Sequence, residues 1–270
     1  MELIVLGSGT SHGIPVIACS CHVCRSADSR DTRYRSALLV RGGNGERVLI
    51  DAGPEFRLQA IRAGIDHLDA LLLTHAHADH IHGLDDVRPL SHHAPLPLYA
   101  NRPTLDELKE RFAYIFKETQ KGGGKPNIDM HVVDALSEGS GTFTVGALKI
   151  TPIPVKHGQL DILGWKFEEN GRSAAYLTDV SSVPHESFSL LKKLDVLFLG
   201  ALRERAHETH FNFDQALEVI ARTTPAKAYL THLCHDKAHA EVEDFIQERE
   251  YRDGVRYNTE PAWDGLCVKL

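Results

Sequence analysis

The sequence predicts an α/β protein of four layers, a sandwich in which two mixed sheets pack face to face beneath outer helices. Short apolar runs bounded by glycine or charge recur along the chain, as expected of buried strands. Segments with helical periodicity separate these runs, and two successive halves of mixed β and α character are typical of a layered sandwich. Because no linker, repeat or low-complexity tract interrupts the 270 residues, we expect one domain over residues 1–270.

The first half of the chain supplies four predicted strands: Leu3–Leu6, Ala37–Val40, Arg47–Ile50 and Ala70–Leu73. Asn44-Gly45 between the second and third strands is a hairpin signal. A first helix is predicted over Pro54–Ala63, where the next residue is a glycine. A longer helix is predicted over Thr104–Gln120, followed by a flexible glycine loop at Lys121–Lys125.

The second half repeats the mixture. Its predicted strands are Leu148–Val155, Leu163–Glu168, Ser173–Leu177, Val196–Leu199, Ala228–Thr231 and Gly265–Leu270. Its predicted helices are Ser187–Leu194, Asn212–Ala221 and Ala238–Glu250. Asn212 or Asp214 is expected to cap the second of these helices, since a short polar side chain there accepts from free backbone N–H groups.

Composition narrows the function classes. The chain is 42% hydrophobic and 25% charged, which is ordinary for a soluble globular protein. Its formal net charge of −7 argues against a broad nucleic-acid surface. No basic leader or membrane-spanning apolar run is present, so we expect a cytoplasmic protein with reduced thiols and no membrane partner. The 17 histidines exceed what packing requires, and histidine is the commonest metal ligand.

The strongest motif follows the fourth predicted strand. It places His75, His77, Asp79 and His80 within six residues. Three imidazoles and a carboxylate this close together cannot pack as core. In a turn of alternating direction, His75 and His77 can face one point while Asp79 and His80 face a neighbouring point. Imidazole nitrogen combined with carboxylate oxygen suits zinc, manganese or iron.

Three later residues of metal-binding type each follow a predicted strand: His157, Asp179 and His232. The HxHxDH run and these three positions, in this order, resemble the motifs of the metallo-β-lactamase superfamily over the whole chain. The resemblance implies the four-layer αββα sandwich of that superfamily and a centre of two metal ions.

By this resemblance, one ion is bound by His75, His77 and His157. The ligands of the other ion are Asp79, His80 and His232, and Asp179 bridges both. Asp51 matches an early aspartate of the superfamily, and we expect it to orient the ligand loop through hydrogen bonds. Its alternative role is to form the turn before Gly53.

Two divalent ions about 3.5–4 Å apart can share a hydroxide and hold both the attacking and the leaving oxygen. Metal-bound water can reach a pKa of about 7, so no serine or cysteine nucleophile is needed. Phosphodiesters, lactones, thioesters and β-lactams all suit this chemistry. The predicted metal centre therefore does not choose a substrate by itself.

A poor leaving group also needs a proton donor, for which His210 is the candidate. Phosphodiesterases of the superfamily place a proton-donating histidine between the bridging aspartate and the last histidine ligand. His207 competes for this role. Arg203 and Arg205 lie just upstream, either as contacts for phosphate oxygens or as solvated surface residues. We count His210 and the ligand Asp79 as the catalytic residues.

A second metal site is predicted at residues 19–24, where Cys19, Cys21 and Cys24 have CxCxxC spacing. Three thiolates fit a structural zinc, whose fourth ligand is then Cys234 or His235. This spacing resembles the PhnP-like phosphodiesterases, in which a histidine three positions after the last active-site histidine completes the site. The resemblance implies His235 as the fourth ligand. Cys267, in the last predicted strand, is expected to be a core thiol.

Together these features predict a phosphodiesterase with two active-site metals (zinc or manganese, with iron possible) and one structural zinc. A metal-bridging hydroxide would attack a small cyclic phosphate or nucleotide-like phosphodiester, with His210 as general acid.

One alternative is a tRNA 3′-processing endonuclease, but Arg102–Lys125 has only six basic residues against four acidic ones, so a nucleic-acid partner is not expected. Another is a non-hydrolytic factor resembling the pyrroloquinoline quinone pathway protein, which also has a cysteine zinc loop. The oligomeric state stays open, a homodimer included.

Overall fold

The computed structural model describes residues 1–117, 124–133 and 141–270. In these residues the first half of the chain contains strands β1 (Glu2–Gly7), β2 (Ala37–Arg41), β3 (Arg47–Ile50), β4 (Ala70–Leu72), β5 (Leu96–Ala100) and β6 (Ile128–Val132). The second half contains β7 (Phe143–Val145), β8 (Leu148–His157), β9 (Leu160–Glu169), β10 (Arg172–Leu177), β11 (Val196–Gly200), β12 (Lys227–Thr231), β13 (Thr259–Pro261) and β14 (Cys267–Lys269). The helices are α1 (Phe56–Ala63), α2 (Ala78–Ile81), α3 (Arg102–Arg111), α4 (Ala113–Phe116), α5 (Phe213–Thr223) and α6 (His239–Asp253).

The described strands form two seven-stranded sheets with the orders β14-β1-β2-β3-β4-β5-β6 and β13-β12-β11-β10-β9-β8-β7. Both sheets are mixed. In the first, β3 to β6 run parallel, whereas β1 to β3 and the returning β14 pair antiparallel. In the second, β10 to β13 run parallel and β7 to β10 antiparallel. The predicted αββα sandwich is therefore confirmed.

Three apolar clusters separate the four layers. The central cluster lies between the sheets and includes Val40, Trp165 and Phe198. The outer clusters pack α1 and α3 on the first sheet and α5 and α6 on the second. Strand alternation produces this arrangement: in β11, Phe198 faces the opposite sheet, while its neighbours Leu197 and Leu199 face the helices.

Two predicted helices are shorter in the structure. The helix expected over Thr104–Gln120 is divided at Phe112, which has φ −112° and ψ 39° and separates α3 from α4. Its last three residues and most of the glycine loop, 118–123, lie outside the described residues. The helix expected over Ser187–Leu194 is only a 3-10 turn over Glu186–Ser189. There the hydroxyl of Ser187 donates to the carbonyl of Pro154 at 2.6 Å and anchors the turn to β8.

The local signals at turns and caps are confirmed. Gly64 adopts φ +62° and ends α1, and β2 pairs antiparallel with β3 around the Asn44-Gly45 turn. Asn212, and not Asp214, caps α5 by accepting from the N–H of Gln215 at 2.9 Å. Across the described ranges, no helix combines the length and the apolar character that crossing a bilayer requires.

The expectation for Cys267 is wrong. Its side chain is exposed, because β14 lies at the edge of the first sheet and alternation turns its neighbour Val268 toward the core.

Candidate metal centre

The predicted ligands come together at one edge of the sandwich, where several strands end. His75 follows β4, His157 ends β8, Asp179 follows β10 and His232 follows β12. The parallel strands β10, β11 and β12 necessarily present their carboxyl ends on the same side. All the predicted active-site ligands except His77 are buried, so the cluster lies below the protein surface at this edge.

Sharp turns after the strands aim several of these side chains. Asp51, Asp179 and His232 have φ values of +62°, +55° and +59°, in the left-handed region that few non-glycine residues adopt. Aspartate and histidine tolerate this region better than most residues, but such positions still cost free energy and cluster at functional sites. The fold therefore maintains strained backbone at the points that carry these acidic and imidazole groups.

The first group of ligand atoms belongs to His75, His77 and His157, which lie within 4.8 Å of one another. The Nδ1 of His157 donates to the carbonyl of Thr209 at 2.7 Å, which leaves its Nε2 available as a metal ligand. The Nδ1 of His75 is 3.0 Å from the hydroxyl of Thr74. These contacts fix the ring orientations before any ion is bound.

The second group contains Asp79, Asp179 and His232, again within 4.8 Å. Asp179 also lies with His75 and His80 in a further set, so its carboxylate is shared between neighbouring groups as the bridging role requires. His80 Nε2 is 3.2 Å from a carboxylate oxygen of both Asp79 and Asp179. His80 therefore lies close to the proposed bridging residue Asp179 as well as to Asp79, with which it was predicted to bind the second ion.

Hydroxyl groups surround the last histidine ligand. The Nε2 of His232 is 3.0 Å from Thr10 Oγ1, and its Nδ1 is 3.1 Å from Ser36 Oγ and 3.2 Å from Asp179 Oδ2. The sequence prediction missed Thr10 and Ser36. The sequence does carry a related signal for hydroxyl groups beside the ligands, since a threonine directly precedes three of the predicted ligands: Thr74, Thr178 and Thr231.

Asp51 is wholly buried behind the cluster. It accepts from the backbone N–H of Thr74 at 2.9 Å, the Thr74 hydroxyl at 2.8 Å and His80 Nδ1 at 2.7 Å. Asp51 therefore orients His80 and the start of the ligand loop at once. Both roles considered for it coexist, because it also occupies the turn before Gly53.

Two buried imidazole nitrogens of the cluster lack a hydrogen bond among the described residues. Nε2 of His75 has no partner, and Nε2 of His80 lies 3.2 Å from two carboxylate oxygens without forming a hydrogen bond to either. Buried atoms of this kind are costly unless a ligand satisfies them. Burial disfavours charge on His80, but the carboxylates of Asp179, Asp79 and Asp51 raise its pKa well above the usual range. The surroundings therefore stabilise positive charge at this point. Imidazoles and carboxylates in this arrangement fit two divalent ions.

His210 lies beside this centre. Its Nδ1 is 3.8 Å from Asp179 Oδ1, and its ring centroid is 4.7 Å from that of His157 and 4.9 Å from that of His232. Burial, together with the neighbouring His232, lowers the pKa of His210 to about 3. The His207 ring is more exposed and contacts Thr209 Oγ1 at 3.2 Å. Of the two candidate proton donors, His210 is the one that contacts the metal-binding residues.

The cysteine loop forms a second cluster with His235. The His235 Nδ1 atom is 3.4 Å from the sulfurs of Cys19 and Cys21 and 3.6 Å from that of Cys24. A tetrahedral zinc with bonds of about 2.0–2.3 Å separates its ligand atoms by similar distances. Cys234 does not join the cluster, since its buried sulfur accepts from the N–H of Asp236. The four residues Cys19, Cys21, Cys24 and His235 fit a structural zinc.

The fold and the two groups of candidate metal ligands define a class of protein, and comparison with known proteins identifies that class. A family model described as a beta-lactamase superfamily domain matches residues 46–233. The chain is 41% identical to the crystal structure of a diphosphatase from the PhnP family, with a TM-score of 0.85, and the match covers 99% of this chain and 96% of that one. The chain therefore belongs to the metallo-β-lactamase superfamily and, within it, to the PhnP-like subfamily.

Two curated relatives carry other names. The chain is 41% identical over 236 residues to an octanoyltransferase of Porphyromonas gingivalis, covering 87% of this chain but only 46% of that protein. The chain thus spans about half the length of this relative. It is also 26% identical to the coenzyme PQQ synthesis protein B of Cupriavidus necator, over 98% of both chains. The names of these two relatives differ from each other and from a diphosphatase, so these relationships fix no substrate.

Proposed function

We propose that this protein is a dinuclear-metal phosphodiesterase acting on a small cyclic phosphate or a nucleotide-like phosphodiester. The observation that carries the proposal is the position of His210, 3.8 Å from the shared carboxylate of Asp179 and stacked on His232. A metal centre that hydrolyses an ester of an alcohol needs a proton donor for the leaving oxygen, and an imidazole at this position can serve.

The residues that would hold the active-site ions are those of the buried cluster: His75, His77, Asp79, His80, His157, Asp179 and His232. When bound, ions of zinc, manganese or iron would supply a nucleophile at neutral pH and would neutralise the charge of the phosphate. A structural zinc would be held by the cysteine loop and His235. Asp51 keeps the ring of His80 oriented, and Thr209 does the same for His157.

The proposed reaction places the phosphate beside the ligand cluster, within reach of the His210 ring. Hydrolysis breaks the bond between phosphorus and the leaving oxygen, and the oxygen of water takes its place. With a pKa of about 3, His210 is neutral at pH 7, so we infer that the negative charge of the bound phosphodiester raises this pKa. His210 can then give a proton to the leaving oxygen, and an alcohol departs instead of an alkoxide. Asp179 and His232 hold the His210 ring against the cluster during this transfer.

A diphosphate is a second candidate substrate, because the similar PhnP-family structure is described as a diphosphatase. A phosphate leaving group is stable without protonation, whereas an alkoxide is not. Loss of His210 should therefore reduce hydrolysis of an alkyl ester far more than hydrolysis of a diphosphate. We do not expect a nucleic-acid partner, in view of the net charge of −7.

The test compares His210→Ala with His207→Ala in the metal-loaded full chain. The substrates are a cyclic ribose phosphate, inorganic diphosphate and a precursor tRNA. We expect His210→Ala to lower kcat on the cyclic phosphate by about 100-fold or more with metal content unchanged, and His207→Ala to have a small effect. Unchanged turnover would refute the role of His210. Cleavage of only diphosphate, of only tRNA, or of no substrate by the metal-loaded chain would refute the phosphodiesterase proposal.

A further inference from the structure

A cavity of about 270 Å³ borders two of the ligand histidines, His75 and His77. One wall is a face of α3 from Pro103 to Arg111, and the other is the start of β9, from Leu160 to Ile162. His75 and His77 line this cavity, whereas His210, on the side of His157 and His232, does not. The His157 centroid is 5.3 Å from His75 and 5.1 Å from His77 on one side, and 4.7 Å from His210 on the other.

The two walls of the cavity are tied to each other. Asn101 accepts from the N–H of Thr104 at 3.0 Å and thereby caps α3, and its Nδ2 donates to the carbonyl of Asp161 at 3.0 Å. The N–H of Leu163 donates to the carbonyl of Thr74, next to His75, at 3.0 Å. The cavity is therefore built into the scaffold of the metal centre, as expected of a preformed binding site.

The charged side chains around this cavity already have partners. Arg111 pairs with Glu107 at 2.9 Å and also donates to the carbonyl of Ala76 at 2.8 Å. Asp161 pairs with Lys156 at 2.6 Å. The remaining walls include the apolar side chains of Leu160 and Ile162. Among the described residues that line the cavity, a phosphate would find no unpaired cation, whereas an uncharged organic group would contact apolar surface without breaking an ion pair.

We propose that, for an acyclic nucleotide-like diester, this cavity binds the uncharged, ring-sized organic group that stays attached to phosphorus after hydrolysis. The proposal rests on the proposed phosphodiesterase function. His210 protonates the leaving oxygen and does not line the cavity, so the leaving group does not occupy it. The retained group leaves with the product, a phosphate monoester. Product affinity therefore reports on the cavity without any turnover.

The first test measures binding of two product analogues, phenyl phosphate and methyl phosphate, to the metal-loaded chain by calorimetry. Both carry the same phosphate, so their difference isolates the organic group. We expect phenyl phosphate to bind at least about tenfold more tightly, the range typical of one added apolar group in a pocket. Equal affinities would overturn the proposal.

Leu160→Ser provides the variant, because Leu160 is 47% exposed and its loss should leave the fold intact. Leu58→Ser is the matched control, since Leu58 is 48% exposed on α1 and does not line the cavity. We expect the affinity ratio of phenyl to methyl phosphate to fall to about threefold or less in Leu160→Ser and to persist in Leu58→Ser. A ratio that is unchanged in Leu160→Ser would overturn the assignment, and unfolding temperatures verify that both variants fold.

The second test uses two diesters with the same leaving group, phenyl and methyl p-nitrophenyl phosphate. We expect the phenyl diester to have a KM about tenfold lower, and this ratio should collapse in Leu160→Ser. Hydrolysis of both diesters with equal KM would refute the cavity assignment and leave the proposed function standing. Absence of hydrolysis combined with tighter phenyl phosphate binding would refute the function and retain the cavity.

Discussion

The guanidinium of Arg33 donates to the backbone carbonyl of Cys234 at 2.5 Å, across 201 positions of sequence. Its other nitrogen donates to the carbonyl of Lys237 and to Asp31, each at 3.1 Å. Arg33 is 0% exposed. Arg33 therefore fixes the backbone from Cys234 to Lys237. This segment contains His235, a predicted ligand of the structural zinc, and begins two residues after His232, a predicted ligand of the active-site ions.

Arg33→Met should lower the free energy of unfolding by about 3–5 kcal/mol, because it leaves the buried Asp31 without its partner and two carbonyls without a donor. Arg205→Met is the control, since Arg205 is 71% exposed and pairs only with Asp236 at the surface. An exposed pair of this kind contributes about 0–1 kcal/mol. Urea denaturation of both variants measures the difference. Equal losses in the two would show that Arg33 does not brace this segment.

Cys21→Ser should reduce the metal content from three ions per chain to two. A structural zinc needs four good ligands, and a serine hydroxyl is a poor substitute for a thiolate. Cys267→Ser is the matched control, because that exposed cysteine lies outside the cluster and should leave three ions bound. Elemental analysis after dialysis decides the point. A wild-type chain that saturates at two ions would contradict the structural site.

Asp51→Asn should weaken metal binding or activity by about 10–100-fold. The carboxylate of Asp51 accepts from His80 Nδ1 and twice from Thr74, and an amide in its place turns an NH₂ group toward one of these donors. Asp66→Asn, at an exposed carboxylate, is the control. Titration of the metal-free chain with Mn²⁺ reports the affinity. Wild-type affinity in Asp51→Asn would rule out an orienting role.

Stability should depend on pH through Asp264, whose pKa burial raises to about 6. This folded pKa lies above the unfolded pKa of about 3.9. Asp264 therefore contributes its full stabilisation of the folded state below about pH 3.9. The contribution is lost as the pH rises through 6. The free energy of unfolding of the wild type, relative to Asp264→Asn, should therefore fall between pH 4 and pH 7. Urea denaturation across this range tests it, and a constant difference would refute the raised pKa.

The sequence alone determined the layered fold and predicted the candidate metal ligands, whose grouping followed from the resemblance to the metallo-β-lactamase superfamily. These depend on local signals: apolar runs with strand or helix periodicity, a glycine that ends α1, and metal-binding residue types placed directly after strands. Parallel strands bring their ends to one edge of a sheet, so ligands that follow β10 and β12 meet without any knowledge of their distance in the chain.

Among candidates that are close in sequence, residue type left the choice open and the resemblance favoured His235 and His210, but only the tertiary structure shows which side chains lie at each site. It brought His235 and not Cys234 to the cysteine loop, and His210 and not His207 to Asp179. It also exposed Cys267 at a sheet edge and divided the long helix at Phe112. Cys234 and His235 are both metal-binding residue types at adjacent positions, and His207 and His210 are histidines three positions apart. Which one contacts the site depends on backbone direction at a turn and on partners such as Arg33, about 200 residues away, and no local pattern encodes these.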